Sequence, residues 1–142
     1  MTTRSSRAEW QGDLKGGNGQ FEVGDDVFSG AYTFASRFEE GDGTNPEELL
    51  AAAHAACFSM SLAKMLAEAG HEAESVRTEA TAHLEPVDGK QTIHTIELTT
   101  RGRVPGIDAA AFAEHAEAAK AGCPVSRLFA GAEIKVDAQL ED

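Results

Sequence analysis

Two cysteines, Cys57 and Cys123, carry most of the chemistry this sequence can offer. Cys57 lies in "NPEELLAAAHAACFSMSLAKM", residues 45 to 65, a stretch rich in alanine and leucine. In such surroundings a cysteine is either a small core hydrophobe or a reactive thiol kept from water, and both readings stand. Helical spacing puts Ala53, His54, Met60, Ser61 and Lys64 near it. His54 can then serve as a base, as a hydrogen-bond partner, or simply as a satisfied core histidine. Cys123 follows 66 residues later in "AGCPVS". Pro124 suits the first turn of a helix and Cys123 its N-cap, where the dipole favours a thiolate. Gly122 just before it loosens the chain for a cysteine that must move toward the first. A chance cysteine at a cap is the plain alternative.

Other chemistry fits less well. His54, Cys57 and Cys123 give three metal ligands where zinc wants four, usually in tight pairs. There is no CxxC and no GxSxG elbow, so neither a metal site nor a serine hydrolase is favoured. Arg37, in "ASRFEEGDG", has the default reading of a surface arginine. Thr44 with Glu47, and Asn45 with Glu48, both match a capping box, so capping is the first reading for both glutamates.

The elements that must position these residues can be read from patterning. "AEWQGDLKGGNGQFEVG" suggests a hairpin and "DVFSGAYTFASRF" a third strand. After the loop "EEGDGTNP", a helix starts at Thr44 or Asn45, with Pro46 in its first turn and Gly70 as its stop. It is apolar on nearly all sides, which requires burial at the centre or cover by a partner chain. "AESVRTEATAHLEPV" and "QTIHTIELTTRGRV" read as strands paired around Asp88-Gly89. Asp108 caps a second helix ended by Gly122, "CPVSRLF" is a short helical piece, and Ile134, Val136 and Ala138 mark a last strand. The order βββ-α-ββ-αα-β predicts an α+β fold, antiparallel sheets with a long central buried helix, as one domain over residues 1–142.

The bulk numbers exclude several classes. At 142 residues, 42% hydrophobic and 25% charged, the chain matches an ordinary globular domain. A net charge of −12 argues against a nucleic-acid or anionic-membrane surface. No stretch resembles a signal peptide and no run of about 18 apolar residues is expected to span a membrane. A cytoplasmic location follows, where paired cysteines are more often catalytic, redox-active or metal-binding than structural.

The segments "RFEEGDGTNPEELLAAAHAACFSM", "VPGID" and "KAGCPVS", with "AEWQGDLKGGNG" near the start, resemble the OsmC/Ohr family of thiol-dependent hydroperoxide peroxidases, and within it the OsmC branch. The likeness runs in order along essentially the whole chain. It implies that Cys57 is the peroxidatic cysteine and Cys123 the resolving one, joined in turnover as a Cys57–Cys123 disulfide. It implies that Arg37 activates the thiolate and that Glu47 orients Arg37, with Glu48 the choice if the register is off by one. It further implies an intertwined homodimer with sites at the subunit interface. The substrates would be organic hydroperoxides and also hydrogen peroxide, and the reductant an external dithiol, a lipoylated protein. No haem, flavin, selenium or metal cofactor is required.

Elementary chemistry sets a condition on this picture. A thiol of pKa about 8.5 is only a few per cent ionised near neutrality, and burial raises its pKa further. A depression of about 3 units needs roughly 4 kcal/mol of differential stabilisation, which one sheltered guanidinium can largely supply. Glu47 stands ten residues before Cys57, about 15 Å along a helix axis, so either Arg37 spans the gap or a partner chain supplies part of the site.

Overall fold

The computed structural model describes residues 1–142, which divide into two compact units, Met1–Leu49 and Leu50–Asp142. The first holds an antiparallel sheet in the order β1 (Ser6–Gln11), β2 (Asn18–Val23), β3 (Phe28–Tyr32). Asp13 closes the β1–β2 turn, its carboxylate accepting from Gly16 N–H at 2.7 Å and its carbonyl from Gly17 N–H at 3.0 Å. Gly19, in the middle strand between Trp10 and Tyr32, has no Cβ to separate them, so their rings meet at 5.5 Å across it.

The strand expected to run through Phe38 stops at Tyr32, and a short helix α1 (Phe34–Phe38) follows. Thr33 ends the strand because its hydroxyl accepts from Ser36 N–H at 3.0 Å while Ser36 Oγ accepts from Thr33 N–H at 2.8 Å, a capping box with serine in the usual place of Glu or Gln. Ser36 also donates to Thr44 C=O at 2.7 Å, and Asn45 Nδ2 donates to Ser36 C=O at 2.9 Å, folding the loop back on α1.

Helix α2 (Pro46–Glu68) begins in the first unit and continues into the second. Asn45 is its cap, accepting from Glu48 N–H at 2.8 Å. It ends at Gly70, whose φ of +90° suits glycine, with His71 N–H returned to Leu66 C=O at 2.8 Å. Beyond it come β4 (Ser75–Val87), β5 (Lys90–Arg103), α3 (Ala109–Gly122), α4 (Pro124–Leu128) and β6 (Glu133–Glu141). Asp88 and Gly89, both at positive φ, turn β4 into β5. β5 and β6 pair in parallel, where antiparallel sheets were expected. The chain leaves the end of β5, crosses through α3 and α4, and re-enters beside it in the same direction, as a helical crossover allows and a hairpin does not.

The core of the second unit joins Phe58, Leu62 and Leu66 of α2, Ile96 and Leu98 of β5, and Phe112, Ala116 and Ala119 of α3. Beneath the helix a chain of hydroxyls crosses to the sheet: Ser59 Oγ donates to Thr78 Oγ1 at 2.8 Å, which lies 2.9 Å from the fully buried Thr100 Oγ1. The opposite face of α2, with Ala52, Ala56, Met60 and Ala67, is exposed, Met60 at 76%. The all-round burial expected of this helix is therefore only half met within one chain. By length and composition α2 is also apolar enough to cross a membrane, against the sequence expectation that no segment would be. Its His54, Phe58, Leu62 and Leu66 are instead completely buried in the second unit, the behaviour of a core helix.

Candidate active site

Within the second unit, α2 and the α3–α4 junction bring the two cysteines together. Cys123 is at once the C-cap of α3 and the N-cap of α4, with Pro124 opening α4 as expected. Its own N–H returns to Ala119 C=O at 2.9 Å. Gly122 does not loosen this junction, since it is the last residue of α3. No approach is needed either: the Sγ atoms are free thiols 2.9 Å apart. A disulfide bond is about 2.05 Å long, so closing it takes less than an ångström of movement. Cys57 is half-buried and Cys123 is fully buried.

The two sulfurs are electrostatically unequal. Burial, then the hydrogen bond with Cys123, push the Cys57 thiol up, and weaker bonds from Val125 N–H and Ser61 do not offset them. Burial also works to raise Cys123, but there it is outweighed by hydrogen bonds from Cys57, from the N–H and hydroxyl of Ser126, and from Val125 N–H, which hold Cys123 below the ordinary thiol value. Within Leu50–Asp142 no cation acts on Cys57. The depressed Cys57 thiol anticipated from sequence is absent from this unit taken alone, because the only groups meeting Cys57 there are apolar neighbours and weak neutral donors.

His54, one turn before Cys57, does not point at it. Its Nε2 lies 2.7 Å from Ser126 Oγ, and its ring meets Phe129 edge-on at 5.4 Å. The third ligand of the metal reading is thus committed elsewhere. Ser126 is the residue that sequence reasoning passed over. Its signal was the Cys123-x-x-Ser126 spacing, which returns a hydroxyl to the first turn that Cys123 caps.

In the first unit the structure brings Arg37 and Glu47 together. Arg37 Nε donates to both carboxylate oxygens of Glu47 at 3.1 and 3.2 Å, and Nη2 donates to Oε1 at 2.7 Å. Glu47 is buried, and the guanidinium also lies 5.3 Å from the Phe38 ring. Glu48 instead accepts from Thr44 Oγ1 at 2.6 Å, so the two glutamates divide capping and ion pairing between them. Beside Arg37 is a cavity of about 250 Å³ walled by Trp10, Tyr32, Phe34 and Phe38.

Residues 39–139 match the family described as "OsmC-like protein". The chain belongs to that family. It is 47% identical over 139 residues to "Peroxiredoxin OsmC" of Escherichia coli (strain K12), covering 97% of this chain and 96% of the relative. Among solved structures it resembles the organic hydroperoxide resistance protein OhrB of Bacillus subtilis, with a TM-score of 0.73, 25% identity, and coverage of 96% and 98% of the two chains. An OsmC-like protein of Mycoplasma pneumoniae shares the fold at a TM-score of 0.76 and 17% identity, over 99% of each chain. The α+β architecture with a long helix is thus that of the OsmC-like family, in the OsmC branch expected from sequence.

Proposed function

We propose that this OsmC-like chain is a cysteine-based peroxidase that reduces organic hydroperoxides, and hydrogen peroxide as well, to protect against oxidative stress. The observation that carries the reading is the pair of free thiols 2.9 Å apart, one half-open and one enclosed, in a chain 47% identical to a protein named a peroxiredoxin.

Exposure supports Cys57 as the peroxidatic residue, since it is half-buried while Cys123 is fully enclosed. Its thiolate attacks the terminal oxygen of ROOH; the O–O bond breaks, RO⁻ takes a proton to leave as ROH, and Cys57 becomes a sulfenic acid. Cys123 thiolate then attacks the Cys57 sulfur, hydroxide leaves with a proton as water, and the disulfide forms. An external dithiol, a lipoylated protein, reduces that bond and is itself oxidised to a disulfide. The lowering of the Cys123 thiol below its ordinary value favours its attack as a thiolate.

Cys57 still needs a cation, and Arg37 supplies it. Glu47 holds Nε and Nη2 and leaves Nη1 for the sulfur and for the alkoxide that departs. We place this encounter in a homodimer, whose formation would also cover the open face of α2 with Met60. The aromatic cavity beside Arg37 suits the apolar group of an organic hydroperoxide. We further place the protein in the cytoplasm, folded as one domain over residues 1–142.

Mass spectrometry before and after one equivalent of cumene hydroperoxide tests the reading. The expected result is loss of both thiols and a Cys57–Cys123 disulfide. Intact thiols after exposure would leave two packing cysteines and no peroxidase.

A further inference from the structure

Helix α4 starts at Cys123, yet most of its surface lies open. Of its five residues only Ser126 is fully enclosed. Val125 is half-buried, Pro124 and Arg127 are exposed, and Leu128 is 77% exposed. The enclosed side chain is thus a hydroxyl, and its partner is the completely buried His54 of α2, whose Nε2 lies 2.7 Å from Ser126 Oγ. The same imidazole meets the ring of Phe129, the residue that ends α4, edge-on at 5.4 Å. One histidine therefore holds both the middle and the end of the helix, and the peroxidase cycle gives it no other task.

Spacing turns this contact into a second rung. His54 stands three residues before Cys57 on α2, and Ser126 three residues after Cys123. Three residues are nearly one helical turn, about 4.5 Å of rise. The sulfurs, 2.9 Å apart, and the imidazole–hydroxyl pair thus join α2 to α4 at two levels. A short helix held at one point can pivot about it; held at two, it cannot. When peroxide converts Cys57 to a sulfenic acid, the sulfur rung changes chemically and the polar rung does not.

We propose that His54 is a positioning residue for resolution: bonded to Ser126 and set against Phe129, it keeps α4 docked so that Cys123 reaches the Cys57 sulfenic acid before a second hydroperoxide does. The inference rests on the peroxidase reading for that competition, and on the dithiol geometry alone for the docking. Two reactions compete for the sulfenic acid. In one, Cys123 thiolate attacks the Cys57 sulfur, the S–O bond breaks, and hydroxide leaves with a proton as water. In the other, the sulfenic sulfur attacks the terminal oxygen of a second ROOH. The O–O bond breaks, RO⁻ takes the sulfenic proton as ROH, and Cys57 is left as a sulfinic acid. The first reaction is unimolecular and scales with the fraction of time α4 is docked. The second scales with peroxide concentration. A docked α4 therefore raises the peroxide concentration that Cys57 withstands. His54 acts through α4 and takes no proton in either reaction.

Two measurements test the proposal, and the first needs no peroxide. It is the equilibrium of the Cys57–Cys123 disulfide with a glutathione redox buffer, which reads the effective concentration of one cysteine at the other in the folded protein. His54→Phe keeps a ring beside Phe129 and removes the bond to Ser126. It should lower the effective concentration about tenfold, the scale of one buried hydrogen bond. His54→Gln, whose amide can donate or accept, should restore it. Gly102→Ala, which crowds Phe112 near the far end of α3, should leave it unmoved even as the urea midpoint falls, so a general loss of stability does not mimic the effect. Should His54→Phe fail to fold by circular dichroism, Ser126→Ala against Ser126→Thr, which keeps the hydroxyl, decides the question. An effective concentration equal to that of the parent in the variant lacking the bond overturns the proposal. The second measurement is the cumene hydroperoxide concentration at which half of Cys57 is found as sulfinic acid by mass spectrometry, with dithiothreitol as reductant. It should fall about tenfold in His54→Phe and recover in His54→Gln; an unchanged threshold overturns the proposal. If the effective concentration falls while hydroperoxide leaves the thiols intact, the peroxidase reading fails and the docking of α4 by His54 stands. Normal peroxide turnover with an unmoved effective concentration sinks the docking role alone.

Discussion

Glu47 Oε1 stands 2.7 Å from Arg37 Nη2, while Glu48, the next residue, turns to Thr44 Oγ1 at 2.6 Å. Neighbouring carboxylates thus do unrelated work, one orienting a guanidinium and the other tidying a helix start. Glu47→Gln keeps the shape and removes the charge, and kcat/KM for cumene hydroperoxide should fall at least about tenfold, the equivalent of about 1.4 kcal/mol. Glu48→Gln should leave turnover nearly unchanged. Equal losses in the two variants would contradict the division.

The two sulfurs should separate by chemistry. Cys57→Ser is expected to abolish peroxide consumption. Cys123→Ser should permit a single turnover, leaving Cys57 as sulfenic or sulfinic acid by mass spectrometry. Continued turnover of Cys123→Ser with a lipoyl reductant would remove its resolving role.

The open face of α2 gives a third expectation. Met60→Glu changes a residue that is 76% exposed in one chain, so the protomer should fold normally by circular dichroism. A carboxylate pressed into an apolar subunit contact is costly. Sedimentation should therefore show a shift from dimer to monomer together with loss of peroxidase activity. An unaltered, active dimer would place the subunit contact elsewhere.

Gly102, buried in β5, faces the Phe112 ring of α3 with no room for a Cβ. Gly102→Ala should cost about 1–3 kcal/mol in urea unfolding, the usual scale of overpacking. Activity per folded molecule should survive, since the strain falls on the core and not on the sulfurs. A stability equal to that of the parent would mean the sheet and helix part without cost.

Acid should weaken the fold through His54. Its folded pKa is depressed by burial, so the unfolded chain takes up the proton first as pH falls below about 6.5. The stability from keeping His54 neutral is in full above that pH and is lost on descent, until the folded imidazole itself ionises. Urea midpoints should drop over this range in the parent and drop less in His54→Gln. Parallel curves would show that another group governs the acid limb.

Much of the framework was legible because it depends on local signals. Asn45 and Pro46 announce the start of α2, Gly70 its end, and Asp88-Gly89 the turn between β4 and β5. Helix α1 was not, because Phe34, Ser36 and Phe38 sit in an alternation that suits a strand, and its capping box uses serine where glutamate is usual. The parallel β5–β6 pair escaped notice because strand direction is set by the crossover and leaves no mark on the alternation of β6. The identities of Cys57 and Cys123 stood out as the chain's two thiols. What lowers the Cys123 thiol did not, since the donors of Val125 and Ser126 act on it only once α4 has formed.

The hydroxyl chain from Ser59 through Thr78 to Thr100 has a bearing on aim. Leucines and phenylalanines grip without regard to angle, so a greasy helix can roll or creep along its bed. Each step of one residue swings a helical side chain by about 100°, enough to carry the Cys57 sulfur out of sight of Cys123. Three hydroxyls satisfied at 2.8 and 2.9 Å admit a single setting of that screw. The polar seam works as an indexing pin, and the sulfurs meet because it clicks home.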